Sequence, residues 1–212
     1  MCLEGRAHGQ REDALNPRTP ERGIHRPGPS ATEPDWTREH KSFWAWSPSR
    51  SLLASLRSYQ RHAGSRHPWD VFVRKVAVLR HRVWSIVTGA DIPLNSHISG
   101  GLLLPHPNGV VIHPEALIGP NCLIFQQVTL GGSNRGAPRL GGHVDIGAGA
   151  KILGPVVIAD HALIGANAVV VCDVPAGATA VGVPARVLVA ETEASVSDAE
   201  AMPSALGVQA DR

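Results

Sequence analysis

The chain has 212 residues, room for one good-sized domain with extensions, and its 20 Lys and Arg against 18 Asp and Glu leave a net charge of +2. That balance favours no acidic partner, three cysteines build no disulfide framework, and no apolar run nears the roughly 18–20 residues of a membrane span. The first residues lack the apolar stretch of a secretory leader, so a cytoplasmic, reducing compartment is expected and a membrane contact is not.

Residues 1–50 are rich in Pro, Arg, Gly and Ser and poor in aliphatic side chains. Such a composition buries too little surface to offset its ordering entropy, and a disordered tail is expected. Character changes over residues 51–90, where a helical segment is expected. SLLASLRSYQRH suits one short helix, broken over residues 64–68. WDVFVRKVAVLRHRVWSIVTG then spaces Val71, Val73, Val76, Leu79, Val83, Trp84 and Val87 at near-helical intervals, with Gly89 placed to end the helix. All five tryptophans precede residue 90, so this segment should pack its aromatic face on the rest of the chain or on another copy.

From residue 91 a different rhythm takes over. Aliphatic residues recur every six positions at Ile112, Ile118, Ile124 and Leu130, and again at Ile146, Ile152, Ile158, Ile164 and Val170. Four residues after most of them comes a small or branched residue, as at Ala116, Cys122, Val128, Ala150, Val156, Ala162, Ala168 and Val174. A period of six is neither the 3.6 of a helix nor the 2 of an open strand. It suits short flat strands joined by tight corners, three to a coil, with the aliphatic residue pointing into a narrow prism. The expected fold is mainly β: a left-handed parallel β-helix over residues 91–186, preceded by a short α-helical segment. Cys122, at a core position, reads as a small buried apolar residue. The array carries four basic and five acidic residues and so no nucleic-acid footprint. Flat outer faces of such a prism can close a ring of three, leaving a groove between neighbours for an extended ligand.

Two interruptions stand out. The rhythm of Ile92, Ile98, Leu104 and Val110 slips by two residues to Ile112, just after PHPNG at residues 105–109. The second, GSNRGAPRLGGH at residues 132–143, should project as a loop, the kind of feature that carries function on a rigid scaffold. Residues 187–212, rich in Ala, Glu and Ser, should form a short helix or frayed tail with no terminal strand.

Of the eleven histidines, His8, His25 and His40 fall in the expected tail, and His62, His67 and His81 read as solvated or capping groups. His143 and His161 share a hexad position 18 residues apart and would stack about 4.8 Å apart if the connection were regular. No third ligand completes a metal site, and no metal is expected. His106 lies inside the PHPNG break, where it either caps backbone groups or does chemistry. Asp91 comes fifteen residues earlier, nearly one coil away. It is either a turn residue or a partner that orients the imidazole and stabilises its protonated form.

The motifs ADIPLNSHISGGLLLPHPNGVVIHP, IGPNCLIFQQVTLGG, IGAGAKILG, IGANAVV and VGVPARV, over residues 69–187, resemble those of the serine acetyltransferases, a branch of the hexapeptide-repeat acyltransferases. The resemblance implies transfer of acetyl from acetyl-CoA to the L-serine hydroxyl, opening cysteine biosynthesis, by a homotrimer or dimer of trimers without a metal. It puts the catalytic histidine at His106 and its partner at Asp91. A serine hydroxyl is a weak nucleophile until a base of near-neutral pKa is in reach. A backbone N–H near Gly131 or Gly132 would meet the oxyanion. Ala148, Gly149, Ala166 and Asn167 match the wall for the pantetheine arm, and Arg186 would lie near the nucleotide phosphates.

The sequence departs from the best-known members at three points. Pro105 replaces an Asp, and Gly136 and Ala137 replace the Arg-His pair that holds the serine carboxylate, although Arg135 and Arg139 flank it. Asp211 and Arg212 stand where a terminal Ile docks into the sulfhydrylase, so a cysteine synthase complex is not expected. Two other readings remain: an O-acetyltransferase for another hydroxyl, such as a sugar in polysaccharide assembly, and a non-catalytic trimerising β-helix that needs neither Asp91 nor His106.

Overall fold

The computed structural model describes residues 29–42 and 44–188. Three sheets of two- and three-residue strands close into a left-handed parallel β-helix of about five turns. Face I holds His97–Ile98, Leu117–Ile118, Arg139–Leu140 and Val157–Ile158. Face II holds Leu123–Ile124, Asp145–Ile146, Leu163–Ile164 and Thr179–Val181, and face III holds Val111–Ile112, Thr129–Gly131, Lys151–Leu153 and Val169–Val170. In these parallel strands the second residue points inward, and every hexad aliphatic is buried. The residues four positions on, including Cys122, complete the same core. Burial pushes the Cys122 thiol up to about 11, which leaves it an inert filler.

The corners explain why the period is six. Asn121, Gln127, His143, Gly149, His161 and Asn167 all have φ between 53° and 75°, each three residues after an inward aliphatic. At the corners from face I to face II and from face II to face III, one left-handed residue turns the chain from one face to the next. Coil spacing also restricts the residue just after the inward aliphatic: a Cβ on Gly147 would come within 2.6 Å of the Ala166 nitrogen on the next coil.

Neither interruption disturbs the core. Ile98 pairs with Ile118, twenty residues on, so the PHPNG break is a two-residue insertion at a corner. Ile118 pairs with Leu140, twenty-two residues on, and Leu140 pairs with Ile158 after a regular eighteen. The expectation that residues 132–143 project as one loop is therefore corrected. Leu140 and Val144 fill the prism, and only residues 133–136 are excess. The expectation of no strand after residue 186 is also corrected, because Arg186–Leu188 turns back antiparallel on Thr179–Val181.

Two helices, α1 (Pro48–His62) and α2 (Pro68–Thr88), pack at the first coil. Each begins with a proline, where a missing N–H costs nothing, and α2 ends at Gly89 with φ 66°. Leu52, Leu53 and Leu56 of α1 join the prism core. His81 of α2 is buried rather than solvated: Nε2 donates to the Ile92 carbonyl at 2.8 Å and Nδ1 lies 3.3 Å from the Ser55 hydroxyl. Trp84 packs on the core, but Trp69 and Phe72 face outward, so the aromatic side of α2 does not cover the barrel.

The expected disordered tail does not extend over residues 29–50; residues 1–28 lie outside the described ones. A strap runs along the edge between faces I and II, tied by the fully buried Asn121. The Asn121 side chain accepts from the Asp35 N–H at 2.8 Å and donates to the Ser30 and Glu33 carbonyls at 2.7 and 2.8 Å. Glu39 pairs with Arg57 of α1 at 2.8 Å and accepts the Leu102 N–H at 3.1 Å. Composition is a poor guide here, because the order comes from partners on other coils rather than from an apolar face of the strap's own.

Asn121→Ala should free the strap at a cost of about 1–3 kcal/mol. Amide exchange should speed up at Asp35 and Thr37 and stay unchanged on the coils. His81 supplies a pH dependence. Burial holds its pKa below the usual histidine value of 6.5, against the opposing pull of the Ile92 carbonyl and Asp91. A depressed folded pKa means that stability is complete above the unfolded value and falls as pH drops from about 6.5 toward the folded one. The melting temperature should decline through that window, with a shallower slope in His81→Gln.

Candidate active site

The corners place the predicted residues on two separate edges. The edge between faces II and III starts at the turn holding His106, which is exposed. Below it the left-handed residues stack one per coil. The Gln127 N–H donates to the Asn108 carbonyl at 2.9 Å, Gly149 to Gln126 at 2.9 Å and Asn167 to Ala148 at 2.8 Å. Ala148, Gly149, Ala166 and Asn167 thus form a single ladder of short side chains beneath the His106 turn. The Gln126 Oε1 within it is buried and has no hydrogen-bond partner among the described residues. Arg186 belongs to the foot of this edge, since the preceding Ala185 N–H donates to the Val169 carbonyl at 2.8 Å.

Asp91 starts face III just after the helix cap. Its N–H donates to the Val110 carbonyl at 2.8 Å, and the Gly109 N–H donates to Gly89 at 2.9 Å. The backbone on either side of the PHPNG turn is therefore stitched to the Asp91 segment. Among the described residues no hydrogen bond or ion pair joins the Asp91 carboxylate to the His106 imidazole. His106 itself lines a cleft of about 330 Å³ with Pro48, Ser49, Val87 and Thr88, floored by its own turn.

The edge between faces III and I carries Gly131, Gly132 and the short projecting turn. Ser133 and Gly136 exchange backbone hydrogen bonds at 2.8 and 3.0 Å, which leaves Arg135 exposed at the tip. Ser133, Asn134, Arg135 and Pro155 border a cleft of about 450 Å³. Arg139 is not part of this turn: it lies on face I, between Leu117 and Val157. A larger hollow of about 520 Å³, lined by Gln60, His97 and Leu117 among others, holds none of the predicted site residues.

His113 was passed over in the sequence. Its ring covers Gly132, where a Cβ would fall 2.7 Å from the imidazole, and its Nδ1 accepts the Glu115 N–H at 3.2 Å. Coil arithmetic could have found it, because residues about 18 apart stack and His113 lies one coil above Gly131. His143 and His161 do stack, with Nδ1 atoms 2.8 Å apart, since the excess residues fall before Leu140. No group of three His, Cys, Asp or Glu able to hold a metal occurs among the described residues.

No family model matches the chain. The soybean serine acetyltransferase solved with serine is 34% identical, with a TM-score of 0.50, over 65% of this chain and 70% of that one. The chain belongs to the serine acetyltransferase family. A serine acetyltransferase solved in complex with CoA is 33% identical, with a TM-score of 0.57, over 68% of this chain and 58% of that one. The serine acetyltransferase of Mycobacterium tuberculosis is 42% identical over 124 residues, 57% of this chain and 54% of the relative. The chain spans about half the length of the curated serine acetyltransferases it matches first.

Relative to the regular eighteen-residue coil, the turn at residues 133–136 is a small, self-contained insertion. Deleting those four residues sets Leu140 six positions after Leu130 and so restores the unbroken hexad. The shortened chain should fold with a melting temperature within a few degrees of the parent, since the turn adds nothing to the core. Thermal unfolding by circular dichroism checks this.

Proposed function

We propose that this chain is a serine O-acetyltransferase that moves the acetyl group of acetyl-CoA to the L-serine hydroxyl. The observation that carries the reading is the ladder of short side chains descending from the His106 turn, in a member of this family. An extended thiol arm lies flat only where side chains are short. The unpartnered Gln126 oxygen offers an acceptor to an amide N–H of such an arm. Arg186 at the foot of the edge supplies a cation for phosphates. The CoA complex of a relative supports the same donor.

In the proposed mechanism His106 takes the acceptor hydroxyl proton as the oxygen attacks the thioester carbonyl, then returns it to the departing thiolate. Asp91, on the segment stitched to that turn, would orient the imidazole and stabilise its charged form. A backbone N–H at Gly131 or Gly132 would stabilise the tetrahedral oxyanion. Arg135, at the tip of the turn on the Gly131 edge, is the candidate for the serine carboxylate, and Arg139, out on face I, is not placed to share it.

These groups cannot all meet within one chain. Face III separates the His106 edge from the Gly131 edge by about six residues, or roughly 20 Å at strand spacing. A second copy whose Gly131 edge approaches the His106 edge would complete the site, and this supports a trimer or a dimer of trimers.

A sugar hydroxyl is the second reading, favoured by Pro105 and by the absence of the Arg-His pair before Pro138. Steady-state assays with acetyl-CoA against L-serine and a sugar panel separate the two. Saturable turnover of serine is expected, and turnover of a sugar with none of serine would overturn the first reading. His106→Ala should lower turnover about 10²–10⁴-fold without changing the mass of the assembly. Unchanged turnover would leave the β-helix as a scaffold.

A further inference from the structure

Helix α2 turns an unusually apolar side to solvent. Trp69, Phe72, Val76, Leu79, Val83 and Ile86 recur at spacings of three and four, and all are exposed, Leu79 at 65% and Ile86 at 83%. At 3.6 residues per turn they form one stripe about 26 Å long. The opposite side of the helix is the one that packs, through Ala77, His81 and Thr88. Lys75 and Arg82 border the stripe on one side and Arg80 on the other, all exposed. Residues 48–88 carry eight Lys and Arg and one acidic residue, Asp70, which is already engaged by Ser65 and His62.

We propose that this stripe docks on an anionic phospholipid surface, with α2 lying flat in the headgroup layer. An aromatic and aliphatic face bordered by Lys and Arg is the composition that seats a helix at a lipid interface. The apolar side chains enter the acyl boundary and the long cations reach back to the phosphates. The expectation of no membrane contact rested on the lack of a spanning segment, which a surface helix does not need; no described helix is long and apolar enough to cross a bilayer.

Charge argues against the two other occupants. The three-four spacing could suit a paired helix from a second copy. However, such a pair sets flanking positions against each other, here Lys75 and Arg82 against themselves or Lys75 against Arg80. Paired helices use opposite charges at those positions. Residues 189–212 of this chain carry acidic side chains that could meet the cations. They contain no aromatic residue, and Met202 and Leu206 are their only large aliphatic side chains, too few to cover a stripe of Trp, Phe, Leu and Ile.

The test is co-sedimentation of the full chain with vesicles of phosphatidylcholine alone and of phosphatidylcholine mixed with phosphatidylglycerol. Binding is expected to the mixed vesicles, at least tenfold weaker to the neutral ones, and weaker as salt rises. Each basic side chain near an anionic surface is worth roughly fivefold in partitioning, so Lys75→Gln with Arg82→Gln should lose about 25-fold. Leu79→Ser with Ile86→Ser should abolish binding while leaving the melting temperature unchanged, because both side chains are already exposed. Failure to bind either vesicle overturns the proposal. So does full binding by the Leu79→Ser, Ile86→Ser variant, which would assign the contact to another basic segment. If that variant instead breaks a larger assembly in sedimentation equilibrium and the parent ignores vesicles, the occupant is a second copy. If binding appears only after residues 189–212 are removed, the occupant is that segment. Either result rejects the lipid surface.

Discussion

The structure depends on the stacking of successive coils at strand spacing, about 4.8 Å, around a prism only wide enough for one aliphatic side chain per face. That single dimension decides which residue turns inward, which adopts the left-handed conformation and which must lack a side chain. Ile146 fills the core, Gly147 makes room for Ala166 on the adjacent coil, and Gly149 turns the corner. The backbone hydrogen bonds between coils arise from the same stacking, so even strands of two residues suffice. The helices and the strap add to this frame at its first coils, through His81 on the Ile92 carbonyl and Asn121 on the segment around Asp35.

Much of this was legible in the sequence because hexad periodicity is a local signal, repeated many times. The helices were legible too, from Pro and Gly at their ends and apolar spacing between. What escaped detection was set by non-local partners. The strap at residues 29–42 has no periodicity of its own and is ordered by a side chain some ninety residues away. His81 looks like a surface residue in any helical pattern, and the Ile92 carbonyl and the Ser55 hydroxyl make its burial tolerable. The second interruption reads as longer than it is because its Gly and Pro residues mask Leu140, which continues the core.

For the candidate site, the sequence names candidate residues but not how they group on the prism. His106 and the small-residue ladder share one edge, whereas Gly131, Gly132 and Arg135 share another. Arg139 belongs to neither, and it sits on a flat outer face. A linear motif cannot reveal that two of its parts occupy different edges of a prism. Coil arithmetic can, and the same arithmetic brings His113 over Gly132.

The partners in successive parallel coils lie 20, 18, 22, 18 and 16 residues apart, as in Ile98 with Ile118, Val111 with Thr129, Ile118 with Leu140, Leu140 with Ile158, and Ile164 with Ala180. Every one of these lengths is even. Because side chains alternate in and out along a strand, an even change in coil length preserves the parity of every later strand, whereas an odd one would turn the next core residue toward water. The prism thus behaves as a counter that accepts changes in steps of two. New loops can be tried at a corner without renegotiating the interior, and the same scaffold can vary the turn at residues 133–136 while the edge beneath the His106 turn stays in phase.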